Sequence, residues 1–210
     1  MPKTAIDDLL KRRPELAGMK AQLYAFSDAL TALYRRGGTL FIAGNGGSAA
    51  DADHICGELL KGFKNRRPLP PELAEKLAAQ GEEGQLLAQK LQCGLRAVSL
   101  LSHPALLSAF ANDVDGEMAY AQQLAALGRP GDIFLGISTG GGARNIRYAL
   151  IAARSIGITG ALLTGNRHGS CEKFSDLVLA VPESETFLIQ ELHISVYHAL
   201  CLQVEEDLFC

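Results

Sequence analysis

Two pairings of a histidine with a polar partner carry the chemistry this sequence offers. His54 and Glu58 lie four residues apart in ADADHICGELL, a segment of helical character, and that spacing sets both on one face. Near the C-terminus, Gln190 and His198 lie eight residues apart. At about 100° per residue they fall within roughly 80° of each other on one helix. His193 falls about 140° from His198 on the same wheel and points elsewhere. A glutamate and a histidine set around a bound ligand can move a proton between adjacent carbons. His54, Glu58, Gln190 and His198 could also ligate a divalent ion such as zinc, with glutamine the unusual member. A His–Glu pair at this spacing is by itself only a surface pair, worth a few tenths of a kcal/mol. Glu191, Glu205, Glu206 and Asp207 read as surface charges of that kind.

The loop ahead of His54 raises its weight. Gly44-Asn45-Gly46-Gly47-Ser48 joins the apolar run TLFIA (39–43), read as a buried strand, to a helix reaching about Gly62. Its glycines let backbone N–H groups approach an anion, and the helix N-terminus adds positive partial charge. Ser138-Thr139-Gly140-Gly141-Gly142 repeats the design after the strand DIFLGIS (132–138). Both loops fall at the carboxyl ends of strands, where open α/β sheets bind ligands. A phosphate site on Asn45, Gly46, Gly47, Ser48, Ser138, Thr139 and Gly140 is expected, with Asn112, Asp113 and Gln190 as further substrate contacts. The first loop also satisfies G-x-G-x-x-A, but the dinucleotide fingerprint needs an acidic residue ending a strand about twenty residues on. The next strand lies about fifty residues away and ends in Leu100-Leu101-Ser102-His103, so no nucleotide cofactor is expected.

The elements that hold these loops follow from the periodicity. Pro14 opens a helix with apolar residues at Leu16, Met19, Leu23, Phe26, Leu30 and Leu33, which Gly37-Gly38 stops. The basic, proline-rich KNRRPLPP (64–71) reads as a connection, and 72–91 as two short helical pieces broken at Gly81 and Gly84. Then come a strand RAVSLL (96–101), a helix from near Pro104 and another from about Glu117 to Leu127. GGGARN opens a helix ending near Ile156; strands at 158–164 and 176–181 and a final helix from Ser184 to Phe209 complete the chain. Strands alternating with helices predict a single doubly wound α/β domain over 1–210, a parallel sheet covered on both faces. It carries an N-terminal helical arm (1–38) and an atypical insertion or connection (64–95).

Composition narrows the partners. The chain has 210 residues, 48% of them hydrophobic, enough to bury a core of its own. A net charge of -3 gives no general attraction to nucleic acid or an acidic membrane, and the lack of tryptophan argues against a base-stacking platform. The N-terminal MPKTAIDDLLKRRPEL has no apolar signal region, and no stretch approaches the roughly 18 apolar residues of a membrane span. Cys56, Cys93, Cys171, Cys201 and Cys210, an odd set without C-x-x-C spacing, read as core residues or free thiols of a cytoplasmic protein.

AGNGGSAADADHICGELLKGF, GDIFLGISTGGG and IQELHISVYH together resemble the SIS-domain phosphoheptose isomerases, in order and over nearly the whole chain. The resemblance implies a five-stranded parallel sheet flanked by helices and an aldose–ketose isomerase acting on sedoheptulose 7-phosphate or a related sugar phosphate. It implies Glu58 and His198 as catalytic residues and His54, Glu58, Gln190 and His198 as ligands where zinc is bound. It also implies a homotetramer with sites between subunits, in which His198 reaches Glu58 across an interface. Three departures stand out. The family's phosphate loop S-T-S-G-N-S is here Ser138-Thr139-Gly140-Gly141-Gly142-Ala143, the arginine of E-L-T-G-R is replaced by Gly62 beside Lys61, and Phe187-Leu188 stand in place of Asp-Arg. The opposing class is a non-catalytic adaptor that binds a protein partner; such relatives lack the glutamate and histidine present here. A transcription regulator would carry a helix-turn-helix pattern ahead of the domain, and none is read.

Overall fold

The apolar runs lack polar alternation, as strands covered on both faces do. In the computed structural model, which describes residues 4–210, they form β1 (Leu40–Ala43), β2 (Ala97–Ser99), β3 (Ile133–Ile137), β4 (Thr159–Thr164) and β5 (Leu177–Ala180). The first three residues of the arm read over 1–38 lie outside the described residues. The described strands make one five-stranded, all-parallel sheet in the order β2-β1-β3-β4-β5. β2 is shorter than the run at 96–101 because Ser99 turns the chain. Its carbonyl accepts from Ser102 N at 3.2 Å and its hydroxyl from Leu101 N at 3.3 Å.

Alternate strand residues feed two cores. Leu40, Ile42, Leu135, Ile137 and Leu163 face one side of the sheet, and Phe41, Ala43, Phe134 and Leu162 the other. The first core is closed by α1 (Thr4–Arg12), α2 (Lys20–Arg35), α3 (Gly47–Leu60) and α9 (Thr186–Phe209), the second by α7 (Ala119–Leu127) and α8 (Arg144–Ile156). From the middle of the sheet, β1 leads through α3 to β2 at one edge, while β3 leads through α8 to β4 towards the other. Crossovers of one hand running in opposite directions put α3 and α8 on opposite faces, so the β1 and β3 loops flank the point where the winding reverses.

The ends of the chain differ from the periodicity reading. The helix expected from Pro14 starts as a 3-10 turn, Pro14–Met19, and becomes α-helical at Lys20; Gly18, the weakest helix former but proline, sits in that turn. Within the helical arm read over 1–38 the periodicity marks no separate helix ahead of Pro14, because Asp7, Asp8, Lys11 and Arg12 mask the buried Ile6 and Leu9 of α1. The segment 72–91 is α4 (Pro71–Ala78) and α5 (Glu82–Lys90), a helical pair packed chiefly on itself. A helix, α6 (Pro104–Asp113), and a 3-10 turn (Gly116–Met118) lead into α7. Glu205 and Asp207 are buried, not surface charges, because α9 is apolar on nearly every side and wedged among α1, α2 and α3. Asp207 accepts from Thr31 Oγ1 at 3.0 Å and Gln203 Nε2 at 2.9 Å.

Candidate active site

α3 begins at the first glycine loop, and its helical repeat stacks Asp51, His54 and Glu58 along one side. Glu58 keeps only 15% of its side chain exposed; its Oε1 lies 3.3 Å from His54 Nε2 and its Oε2 accepts from Lys61 Nζ at 3.2 Å. Lys61 thus meets the carboxylate from the position beside which the family has an arginine. α9 supplies the other wall. His198 Nε2 is 3.4 Å from His54 Nε2, and Tyr197 Oη lies 2.9 Å from His54 Nδ1 and 3.2 Å from Asp51 Oδ1. His198 therefore joins His54 and Glu58 within one chain. The cross-interface contact that the resemblance implied is not needed to bring them together. Burial, and then the neighbouring His54, hold the His198 imidazole below its ordinary pKa against the pull of Glu58. These surroundings favour the uncharged imidazole, which donates from one nitrogen and accepts at the other.

The end of α3 is anchored from a segment the sequence reading treated as mere connection. Arg67, within KNRRPLPP, is fully buried and donates to Glu205 Oε1 on α9 and to the Leu59 carbonyl, both at 2.8 Å. Glu205 also accepts the backbone N–H groups of Phe63, Lys64 and Asn65 at 2.8, 3.0 and 2.9 Å. Burial opposes the carboxylate's charge, but these three donors and Arg67 outweigh it and hold the Glu205 pKa below the usual range. A buried ion pair stabilises little net unless its remaining hydrogen bonds are satisfied, as they are here. Its consequence is positional: it ties Glu58's helix end to the helix carrying His198.

The glycine loops lie at the same end of the sheet. Gln190 packs on the first: a Cβ at Gly47 would come within 2.4 Å of Gln190 Nε2 and displace the end of that side chain. Asn45 and Asn145 exchange side-chain amide hydrogen bonds of 3.0 and 2.8 Å, which links the first loop to the first turn of α8. Ser48 and Ser138 are buried, and the Thr139 carbonyl accepts from Gly165 N at 2.9 Å. Gly141 has φ +63°, and a Cβ on it would meet the His168 carbonyl, whereas a Cβ at Gly140 would meet nothing within 4 Å. Asn112 and Asp113 stand apart from this group. They end α6, exposed, with Asn112 Nδ2 donating to Asp113 Oδ1 at 2.7 Å; among the described residues no hydrogen bond joins them to either loop.

The sequence reading passed over Asp51, Tyr197, Arg67 and Asn145. Asp51 was accessible in principle, since it is three residues before His54 and shares its face. Arg67 had no signal, because a basic residue among prolines gives no hint of burial.

His193 is fully buried, with neither ring nitrogen within hydrogen-bonding geometry of a partner. Burial pulls its pKa down to about 4, with the Thr164 backbone opposing weakly. It faces away from His198, as the helical wheel required.

No protein-family model matches the chain. Individual relatives do. The phosphoheptose isomerase of Roseiflexus sp. (strain RS-1) is 35% identical over 198 residues, 94% of this chain and 88% of the relative. That of Burkholderia pseudomallei (strain 1710b) is 36% identical over 189 residues, 90% of this chain and 83% of the relative. Among solved structures, a phosphoheptose isomerase from Francisella tularensis superposes with a TM-score of 0.76 at 25% identity, covering 95% of this chain and 94% of the other. One from Neisseria gonorrhoeae gives 0.75 at 26% identity, with the same coverage.

Proposed function

The chain belongs to the phosphoheptose isomerase family of SIS-domain proteins and is a sugar-phosphate isomerase, and from that premise we propose that it interconverts sedoheptulose 7-phosphate and the matching aldose phosphate through an enediol. In this reading Glu58 takes a proton from the carbon next to the carbonyl and returns it to the former carbonyl carbon. His198 moves the hydroxyl proton from one oxygen to the other, so carbonyl and hydroxyl exchange places. The observation that carries the proposal is the meeting of Glu58, His54 and His198 across α3 and α9, at distances of 3.3 and 3.4 Å. The two glycine loops at the same sheet end, with Ser48, Ser138 and Thr139, would take the phosphate. An adaptor role fits less well, since an adaptor has no use for a partly buried carboxylate between an imidazole and an ammonium group.

Zinc at His54, Glu58 and His198 is proposed on narrower ground. The separations of 3.3 and 3.4 Å match neighbouring donors on a tetrahedral ion with bonds of about 2.0–2.1 Å. Yet among the described residues no group of three His, Cys, Asp or Glu is set to hold an ion, and Gln190 is packed on Gly47. The fit is partial; bound there, an ion would polarise the substrate oxygens. A cytoplasmic homotetramer completes the reading. No described helix is long and apolar enough to cross a membrane, and Phe187 and Ile194, one face of α9, are 62% and 41% exposed.

Incubation with sedoheptulose 7-phosphate in D₂O, followed by NMR, tests the proposal. The wild type should exchange solvent deuterium into the carbon next to the carbonyl, and Glu58→Gln should lower kcat by about 100-fold or more with substrate binding retained. Full turnover by Glu58→Gln would remove Glu58 from the mechanism. No exchange by the wild type would count against this substrate.

A further inference from the structure

Tyr197 and Asp51 take no part in the proton transfers described above, yet both are buried against His54. What they do depends on one proton. The tyrosine hydroxyl has a single hydrogen to donate and lone pairs to accept, and an ionised carboxylate can only accept. Asp51 Oδ2 is buried without a hydrogen-bond partner, which leaves Oδ1, 3.2 Å from Tyr197 Oη, as the oxygen that is bonded. Tyr197 therefore gives its proton to Asp51. The remaining 2.9 Å contact, between Tyr197 Oη and His54 Nδ1, is a hydrogen bond only if His54 donates.

We propose that Tyr197 and Asp51 are positioning residues that hold His54 in its Nδ1–H tautomer, with the Nε2 lone pair turned towards His198. The inference rests on the reading of Glu58 as the base, and supplies something that reading lacks. A neutral His54 of the opposite tautomer would turn an Nε2–H towards His198 Nε2, 3.4 Å away, and offer it no acceptor. With the proton kept on Nδ1, that acceptor is retained. Nε2 becomes an acceptor for the His198 N–H, 3.4 Å away, or for a sugar hydroxyl. The chain Asp51–Tyr197–His54 thus orients a site imidazole through the nitrogen that faces away from the reaction.

NMR of ¹⁵N-histidine-labelled protein at about pH 8, above the ordinary histidine pKa, reads the tautomer directly. It is recorded as purified and again after dialysis against EDTA, with the His54 signals assigned from His54→Gln. The expected wild-type spectrum has Nδ1 protonated and Nε2 bare in both samples. Tyr197→Phe removes the acceptor from Nδ1. Asp51→Ala removes the acceptor from Tyr197, which then donates to Nδ1. Each variant should switch His54 to Nε2–H and lower kcat about 10-fold with little change in KM. An Nε2–H or doubly protonated ring in the EDTA-treated wild type overturns the assignment, as does either folded variant that keeps the wild-type tautomer. The tautomer is read without substrate, so a failure of sedoheptulose 7-phosphate to turn over would bear on the proposed function and leave this result standing.

Discussion

His193 and His198 stand five positions apart on α9 and meet opposite fates. His198 turns towards His54, while His193 is closed inside the protein with neither nitrogen in full hydrogen-bonding geometry. Burial penalises the charged ring, so the folded protein keeps His193 neutral down to about pH 4. The unfolded chain takes up that proton near pH 6.5, so between those values the unfolded state binds more protons and stability rises with pH. The His193 contribution is complete above about pH 6.5 and is lost as pH falls towards about 4. That window corresponds to about 3 kcal/mol. We expect urea unfolding to show a steeper loss of stability from pH 6.5 to 4.5 in the wild type than in His193→Phe. Parallel curves for the two proteins would mean that His193 titrates normally in the fold.

The two glycine loops show how elements divide their labour. In the second, Gly141 is demanded by the chain itself, since its φ is +63° and the His168 carbonyl occupies the place of a Cβ. Gly140 faces open space, so its lack of a side chain is not a packing requirement. A serine there would fit and would restore a hydroxyl that the family's S-T-S-G-N-S loop has. A hydrogen bond to a charged phosphate contributes about 1.5–3 kcal/mol. Gly140→Ser should therefore tighten sugar-phosphate binding about 10-fold or more by calorimetry, with thermal stability little changed. Unaltered affinity would place the phosphate away from this loop.

At the scale of the whole molecule, α9 is the organising element. One stretch packs against α1 and α2, Glu205 grips Arg67 below the end of α3, and His198 completes the site. Phe187 and Ile194 lie seven positions apart on a face no other element covers fully, and Leu60 at the end of α3 is 53% exposed. Large apolar side chains left open beside a site favour burial by another copy of the chain. Sedimentation at micromolar concentration should show one species with the mass of four 22.4 kDa chains, and Phe187→Glu should shift it to lower mass. A 22.4 kDa monomer in the wild type would exclude the tetramer.

The sequence by itself determined the parallel α/β sheet, both glycine loops and the sides of the helices on which His54, Glu58, Gln190 and His198 lie. Strand runs, turn glycines and helical spacing are local properties, set within a few residues by backbone sterics and the side-chain repeat. Only the tertiary structure decided which groups meet across α3 and α9. That Tyr197 lies between Asp51 and His54, that Arg67 is buried on Glu205, and that Asn45 pairs with Asn145 are contacts spanning 146, 143, 138 and 100 residues. Such partners are chosen by the winding of the sheet and the seating of α9. A charged residue that looks solvated in its own stretch of chain becomes interior when distant elements close over it, as they do over Glu205 on α9 and over Arg67 in the connection after α3, and nothing in its near neighbours announces that burial.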